Sequence, residues 1–171
     1  KYFFKKEYRY PKKLINPKDY FNYSTKKEAK FLITFLNKIN SSTSFNLKEL
    51  DKKNSILFPR LVSEINSYIN WDLDIDEIVK FINAFSDPYP GGKSFLNNKK
   101  IYLKNAKIFK RNNFHSYTSG IITNIYEKKL YICAKGGIFS AYCSFSKNSK
   151  KNKYLKIGER FNTNIKYLQK A

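Results

Sequence analysis

Few side chains in this sequence are suited to covalent chemistry. His115 is the single histidine, in the run Asn113-Phe114-His115-Ser116. As a general base it needs an orienting partner and a nucleophile or substrate nearby. The local spacing supplies neither, so it reads as a loop histidine without a role. Cys133 and Cys143 lie ten residues apart on what read as neighbouring strands. They read as small buried hydrophobes, since a thiolate nucleophile needs an activating base and only one histidine exists. One histidine and two cysteines also argue against a zinc site of the usual ligand set. Asp72, Asp74, Asp76 and Glu77 cluster beside Trp71 but lack the glycine and the spacing of a calcium loop. Acids at a helix N-terminus explain them more simply. After Gly92 the only carboxylates are Glu127 and Glu159, which argues against a paired-acid site there. Gly91-Gly92-Lys93-Ser94 ends like a phosphate loop. It lacks the first glycine at the required offset, and it follows a helix and precedes strands, the wrong context. No metal site is expected.

The elements that position these residues follow from periodicity. Residues 2–10, a mixture of Tyr, Phe and charge, read as a strand, and Asn16-Pro17-Lys18-Asp19 as a loop. Ser24 or Thr25 is a candidate N-cap, and Thr25 with Glu28 makes a capping-box pattern. Ala29, Leu32, Ile33, Leu36 and Ile39 then fall at helical spacing, which predicts a helix over 25–40. Asn40-Ser41-Ser42-Thr43-Ser44 stops it. Residues 45–60 read as a connecting segment. Asp74 and Glu77 open a second helix, with Ile75, Ile78, Val79, Ile82 and Phe85 as its apolar face. Pro88-Tyr89-Pro90-Gly91-Gly92 then makes a rigid turn.

Beyond Gly92 the period shifts toward two. Lys100–Phe109, Gly120–Tyr126, Leu130–Ala134 and Ile138–Phe145 read as short strands, the last pair forming a hairpin across Gly136-Gly137. Ser146–Lys153 reads as a basic loop, and Ile157–Phe161 as a closing strand. Several short strands at this spacing suggest a small barrel.

The 171 residues suffice for one domain or two small ones with a real core. No apolar run approaches the ~18 residues of a membrane span. The net charge is +21, unevenly spread: residues 1–92 hold 16 basic and 11 acidic groups, and residues 93–171 hold 18 and 2. So cationic a second half suits a polyanion, because lysine contacts release counterions. The alternative is a solvated lysine-rich face inflated by composition, since Lys outnumbers Arg 30 to 4. The candidate polyanion-binding residues are Lys99, Lys100, Lys104, Lys107, Lys110 and Arg111, with Tyr102, Phe109 and Phe114 interleaved. Met is absent and the chain opens Lys1-Tyr2-Phe3-Phe4, which reads as a piece cut from a longer protein.

A further set of residues is read for its pattern. Phe58-Pro59-Arg60, Trp71, then Phe85 and Pro88-Tyr89-Pro90-Gly91 at the end of the second helix resemble the C-terminal part of the formyltransferase family. That family includes methionyl-tRNA formyltransferase and the sugar-nucleotide N-formyltransferases. Phe95–Ile101 resembles its first barrel strand, Ser119-Gly120-Ile121-Ile122 a later strand start, and Gly158-Glu159-Arg160-Phe161 its closing segment. The resemblance implies an α+β fold in three parts. Residues 1–56 would be the end of an α/β catalytic domain, 57–92 a linker with a helix and the PYPGG turn, and 93–171 a small open OB-like antiparallel β-barrel. It implies a structural role for Phe58, Pro59, Arg60, Trp71, Phe85, Pro88, Tyr89, Pro90 and Gly91. It implies a cytoplasmic enzyme moving a formyl group from 10-formyltetrahydrofolate to a primary amine, on a nucleotide amino sugar or on methionyl-tRNA. The family's catalytic Asn, His and Asp would lie upstream, leaving this piece inactive. Tyr89 and Ser119 stand where the tRNA enzymes usually carry Trp and Pro, which points toward the sugar-modifying branch. Two other readings stay open: a non-catalytic basic barrel that binds RNA or another polyanion, and a plain structural domain that serves homodimerisation or packing.

Overall fold

The computed structural model describes residues 4–41, 44, 46, 48–49, 53, 56–145 and 155–168. The chain divides into two compact units, Lys1–Leu14 with Lys18–Arg60, and Ile15–Pro17 with Leu61–Ala171.

The first unit is built on a 24-residue helix, α1 (Pro17–Asn40), which begins eight residues earlier than its sequence signals suggest. Pro17 suits a first helical position, where its missing N–H costs nothing, and Asp19 favours the positive end of the helix dipole. The expected cap at Ser24 or Thr25 is therefore an interior position. Thr25 Oγ1 donates back to Phe21 O at 3.0 Å, one turn earlier. The helix ends at Asn40 as expected, and Ser41 Oγ donates to Lys38 O.

The expected strand over residues 2–10 is not formed in its described part, 4–10. No neighbouring strand among the described residues takes its backbone groups. Its aromatic rings lie along α1 instead: Phe4 stacks on Phe31 at 5.0 Å, and Tyr10 packs on Tyr20 at 5.1 Å. None of the described residues of α1 is buried, so the predicted apolar face of Ala29, Leu32, Ile33, Leu36 and Ile39 stands exposed. Much of the connecting segment 45–60 and all of the basic loop 146–153 fall outside the described residues.

The second unit holds a short helix α2 (Ser63–Asn66), the helix α3 (Ile75–Ala84) and five antiparallel strands. These are β1 (Gly92–Leu96), β2 (Lys99–Arg111), β3 (Ile122–Tyr126), β4 (Lys129–Ala134) and β5 (Gly137–Phe145). A 3-10 turn (Ser116–Thr118) and a last short helix α4 (Ile165–Leu168) complete it. The strand order is β1-β2-β5-β4-β3. Asp74 caps α3 as predicted, its Oδ1 accepting from Glu77 N at 2.9 Å. Ile75, Ile78 and Ile82 of α3 are buried in one core cluster with Leu103, Ile132 and Phe139 of the sheet. Burying such a side chain stabilises by about 1.5–3 kcal/mol, so this one face anchors the helix. Trp71 is buried beside it, stacked on Phe161 at 6.0 Å, with Nε1 donating to Ser94 Oγ.

Three hairpins organise the sheet. β4 and β5 pair from Ala134 opposite Gly137 onward, as expected from Gly136-Gly137. β1 and β2 pair across Asn97-Asn98, both at positive φ. Phe95–Ile101, expected as one strand, is therefore a hairpin: two residues in the left-handed region make the tight turn whose twist matches the strands, and Asn tolerates that region. Glu127-Lys128 makes the same kind of turn between β3 and β4. The strand ladder is not closed. The expected closing strand at Ile157–Phe161 forms only isolated bridges. Its backbone reaches the β3 side, where Phe161 N donates to Gly120 O, and Asn162 exchanges hydrogen bonds with Phe95 of β1. The fold is thus α+β, with helices and an antiparallel sheet.

Candidate nucleic-acid interface

The sheet has two unlike faces. Leu103, Ile132, Phe139 and Ile122 belong to the buried core cluster on one side. Alternation along each strand sends the intervening residues to the other side. There the register brings Lys104, Tyr142, Lys129 and Tyr126 into one row across β2, β5, β4 and β3. A second row runs Lys107, Ser140, Tyr131 and Asn124. Phe109, 63% exposed, meets Tyr131 edge-on at 4.9 Å. Lys129 Nζ lies over the Tyr142 ring at 5.6 Å. Exposed rings held between lysines offer stacking surfaces beside positive charge, the combination that takes unpaired nucleotides.

All six candidate cations from the sequence lie on β2. They are not equivalent. Lys107 and Lys110 are exposed, and Lys99 and Lys100 are half-buried at the start of the strand. Lys104 Nζ pairs with Asp87 at 2.8 Å. Arg111 grips Asp76 with both terminal nitrogens at 2.8 Å. That fork holds the Asp76 carboxyl below its ordinary range and raises the guanidinium, the hydrogen bonds being the larger cause in each case. Both pairs tie α3 or its exit turn to β2. Lys129, Tyr126, Tyr131 and Tyr142 were missed by the sequence reading. The alternation on either side of the Glu127-Lys128 turn and along β5 is the available signal.

Of the motif residues of the helix and turn, Phe85 and Gly91 are buried, and Pro88, Tyr89 and Pro90 are not. Asn83 and Ser86 hold an irregularity in β2 at Asn105-Ala106: Asn105 N donates to Ser86 Oγ at 3.1 Å. Phe85 is buried against Phe81 at 5.0 Å. Pro88, Tyr89 and Pro90 are exposed at the turn, where Tyr89 N donates to Ser86 O. Gly91 has φ +118°, and a Cβ there would meet Leu103 O at 2.6 Å, so the turn needs glycine. Phe58, Pro59 and Arg60 are exposed in an irregular stretch.

The remaining chemical candidates have structural work. Lys93, which could have suggested a phosphate loop, is 5% exposed, and its Nζ donates to Ser63 O and Glu64 O. His115 Nδ1 accepts from Tyr117 N at 3.1 Å and so caps the 3-10 turn. Cys133 is buried, and burial pushes the Cys143 thiol up to about 12. Asp74 and Asp76 are committed to the helix cap and to Arg111. Among the described residues, no three His, Cys, Asp or Glu side chains are grouped to hold a metal ion, and no helix is long and apolar enough to cross a membrane.

Residues 62–155 match the family model described as the formyl transferase C-terminal domain. The chain belongs to the formyltransferase family. The match begins at the sheet-bearing unit and leaves residues 1–56 outside it. A methionyl-tRNA formyltransferase of Prochlorococcus marinus subsp. pastoris is 25% identical over 96 residues, which are 54% of this chain. The matched stretch spans 28% of that relative's length. The α3 helix, the PYPG turn and the strands from Gly92 onward thus make up a formyltransferase C-terminal domain.

Proposed function

We propose that this domain holds the acceptor substrate of a formyltransferase, and that the acceptor is methionyl-tRNA. The observation that carries the reading is the open face of the sheet, with Lys107 and Lys129 set among Phe109, Tyr126, Tyr131 and Tyr142. A small sugar nucleotide carries two phosphates and needs no such area. A tRNA presents a long phosphate track and unpaired terminal nucleotides, which lysines and exposed rings engage together. The similarity to a methionyl-tRNA formyltransferase supports the same choice.

In this reading the amine of the acceptor would bond to the formyl carbon of 10-formyltetrahydrofolate, the bond from that carbon to N10 would break, and tetrahydrofolate would leave with the amine's proton on N10. Residues 1–56 are the end of the catalytic domain, and the Asn, His and Asp that handle the proton and the oxyanion precede them. The chain's own contribution is binding and orientation, which lower the entropic part of the barrier. The test is formyl transfer by the protein extended through its upstream coding sequence, offered methionyl-tRNA and a nucleotide amino sugar in parallel. The proposal expects transfer to the tRNA. Transfer to the sugar alone would overturn the acceptor assignment, and transfer by the 171-residue chain by itself would overturn the division of labour.

A further inference from the structure

We propose that the groove between the 3-10 turn and the C-terminal segment binds a nucleoside phosphate, with the base on Tyr117 and the phosphate at Arg160. The groove encloses about 540 Å³, a volume suited to a small ligand. Trp71 and Phe161 contribute apolar lining, and Asp72, Tyr117, Arg160 and Thr163 add polar groups.

Tyr117 is 77% exposed, with one face taken by the Arg160 guanidinium at 5.0 Å. Arg160 also donates from Nη2 to Tyr117 O at 2.5 Å. This uses one of its five N–H groups, and no carboxylate pairs with it among the described residues. Its neighbour Glu159 is engaged by Asn97 Nδ2 and Lys156 N. The groove therefore combines a ring open to stacking with an arginine that has no ion pair among the described residues, as a base and its phosphate require. Asp72 supplies an acceptor for sugar hydroxyls and disfavours a phosphate at its own end, which sets the ligand's direction.

The shelf exists before any ligand arrives. His115 caps the turn through Tyr117 N, and Ser119 N donates to Ser116 O at 2.9 Å. Such preorganisation lowers the entropic cost of binding. The site shares no residue with the sheet face, so the two stand or fall separately.

Trp71 is the only tryptophan and lines the groove, which makes its fluorescence the readout. The full chain is titrated with adenosine 5′-monophosphate, with adenosine and inorganic phosphate as controls, and with a short single-stranded oligoribonucleotide. The expected result is saturable quenching by the monophosphate with a Kd below about 1 mM. Tyr117→Ala and Arg160→Gln each weaken it roughly tenfold, the order of one stacking contact. Tyr117→Phe keeps it, and Lys107→Glu with Lys129→Glu leaves it unchanged. In the Lys107→Glu, Lys129→Glu variant, a strand that binds more tightly than the free nucleotide and is weakened by Tyr117→Ala identifies a strand end as the source; the reverse order of affinity, with the same loss in Tyr117→Ala, identifies a free nucleotide. No saturable change, or equal binding by Tyr117→Ala and Arg160→Gln variants that keep the parent Tm, would overturn it.

Discussion

Asn83 and Ala106 exchange two hydrogen bonds: Asn83 Nδ2 donates to Ala106 O at 2.9 Å, and Ala106 N donates to Asn83 Oδ1 at 2.8 Å. The amide thus imitates a strand neighbour at the point where β2 shifts register between Lys104 and Lys107. It satisfies a buried backbone pair that the shift would otherwise orphan. Asn83→Leu leaves both groups buried without partners, at about 1–3 kcal/mol each. The expected loss is about 2–6 kcal/mol by urea denaturation monitored at Trp71.

Lys93 gives the second unit an alkaline signature. Burial holds its ammonium below the ordinary lysine value, the nearby Lys100 charge adds to this, and Glu64 partly offsets it. The unfolded chain then binds the proton more tightly than the folded one, so this residue's contribution to stability rises with pH between its folded value and the ordinary value of 10.5. Relative to a Lys93→Met variant, the parent should gain stability over that window. Parallel stability-versus-pH curves for the two proteins would contradict this.

Both cysteines should resist thiol reagents in the folded protein. Cys143 has a thiol pushed up to about 12 by burial, leaving little thiolate at neutral pH, and Cys133 is buried beside Thr118. Labelling by iodoacetamide at pH 7.5 should be slow and should accelerate many-fold in denaturant. Rapid labelling of Cys143 in buffer would show that β5 opens more readily than the packing implies.

The turn at Glu127-Lys128 is an unrelieved local conflict. Both residues sit at positive φ, where side chains without a local hydrogen bond are disfavoured. Lys128→Gly should raise stability by up to about 1 kcal/mol, read as a higher Tm. A lower Tm would mean that the Lys128 side chain contributes to the hairpin.

The parts of this fold legible in the sequence were those where local and tertiary forces agree. Asp74 and Glu77 announce α3 because the cap and the apolar face act on the same residues. Gly136-Gly137 announces a hairpin because the turn chemistry is local. The start of α1 was obscured by two competing signals, Pro17 with Asp19 and Thr25 with Glu28, and the earlier one prevailed. Residues 4–10 carry strand-forming aromatics, yet a strand needs a partner, and their rings found the helix instead. The cationic face was half legible. Lysine density marked β2, but the rings that complete it come from β3, β4 and β5, which only the register brings together. Nor could spacing show that Lys104 and Arg111 are committed to Asp87 and Asp76.

The most direct test of the account is the salt dependence of tRNA binding by the full chain, before and after Lys107→Glu and Lys129→Glu. If the sheet face holds the acceptor, log Kobs should fall steeply with log salt, and each substitution should reduce the slope by about 1. Affinity should drop in both variants while the Tm stays near the parent's. A slope and affinity unchanged in both would contradict the assignment of acceptor binding to this face.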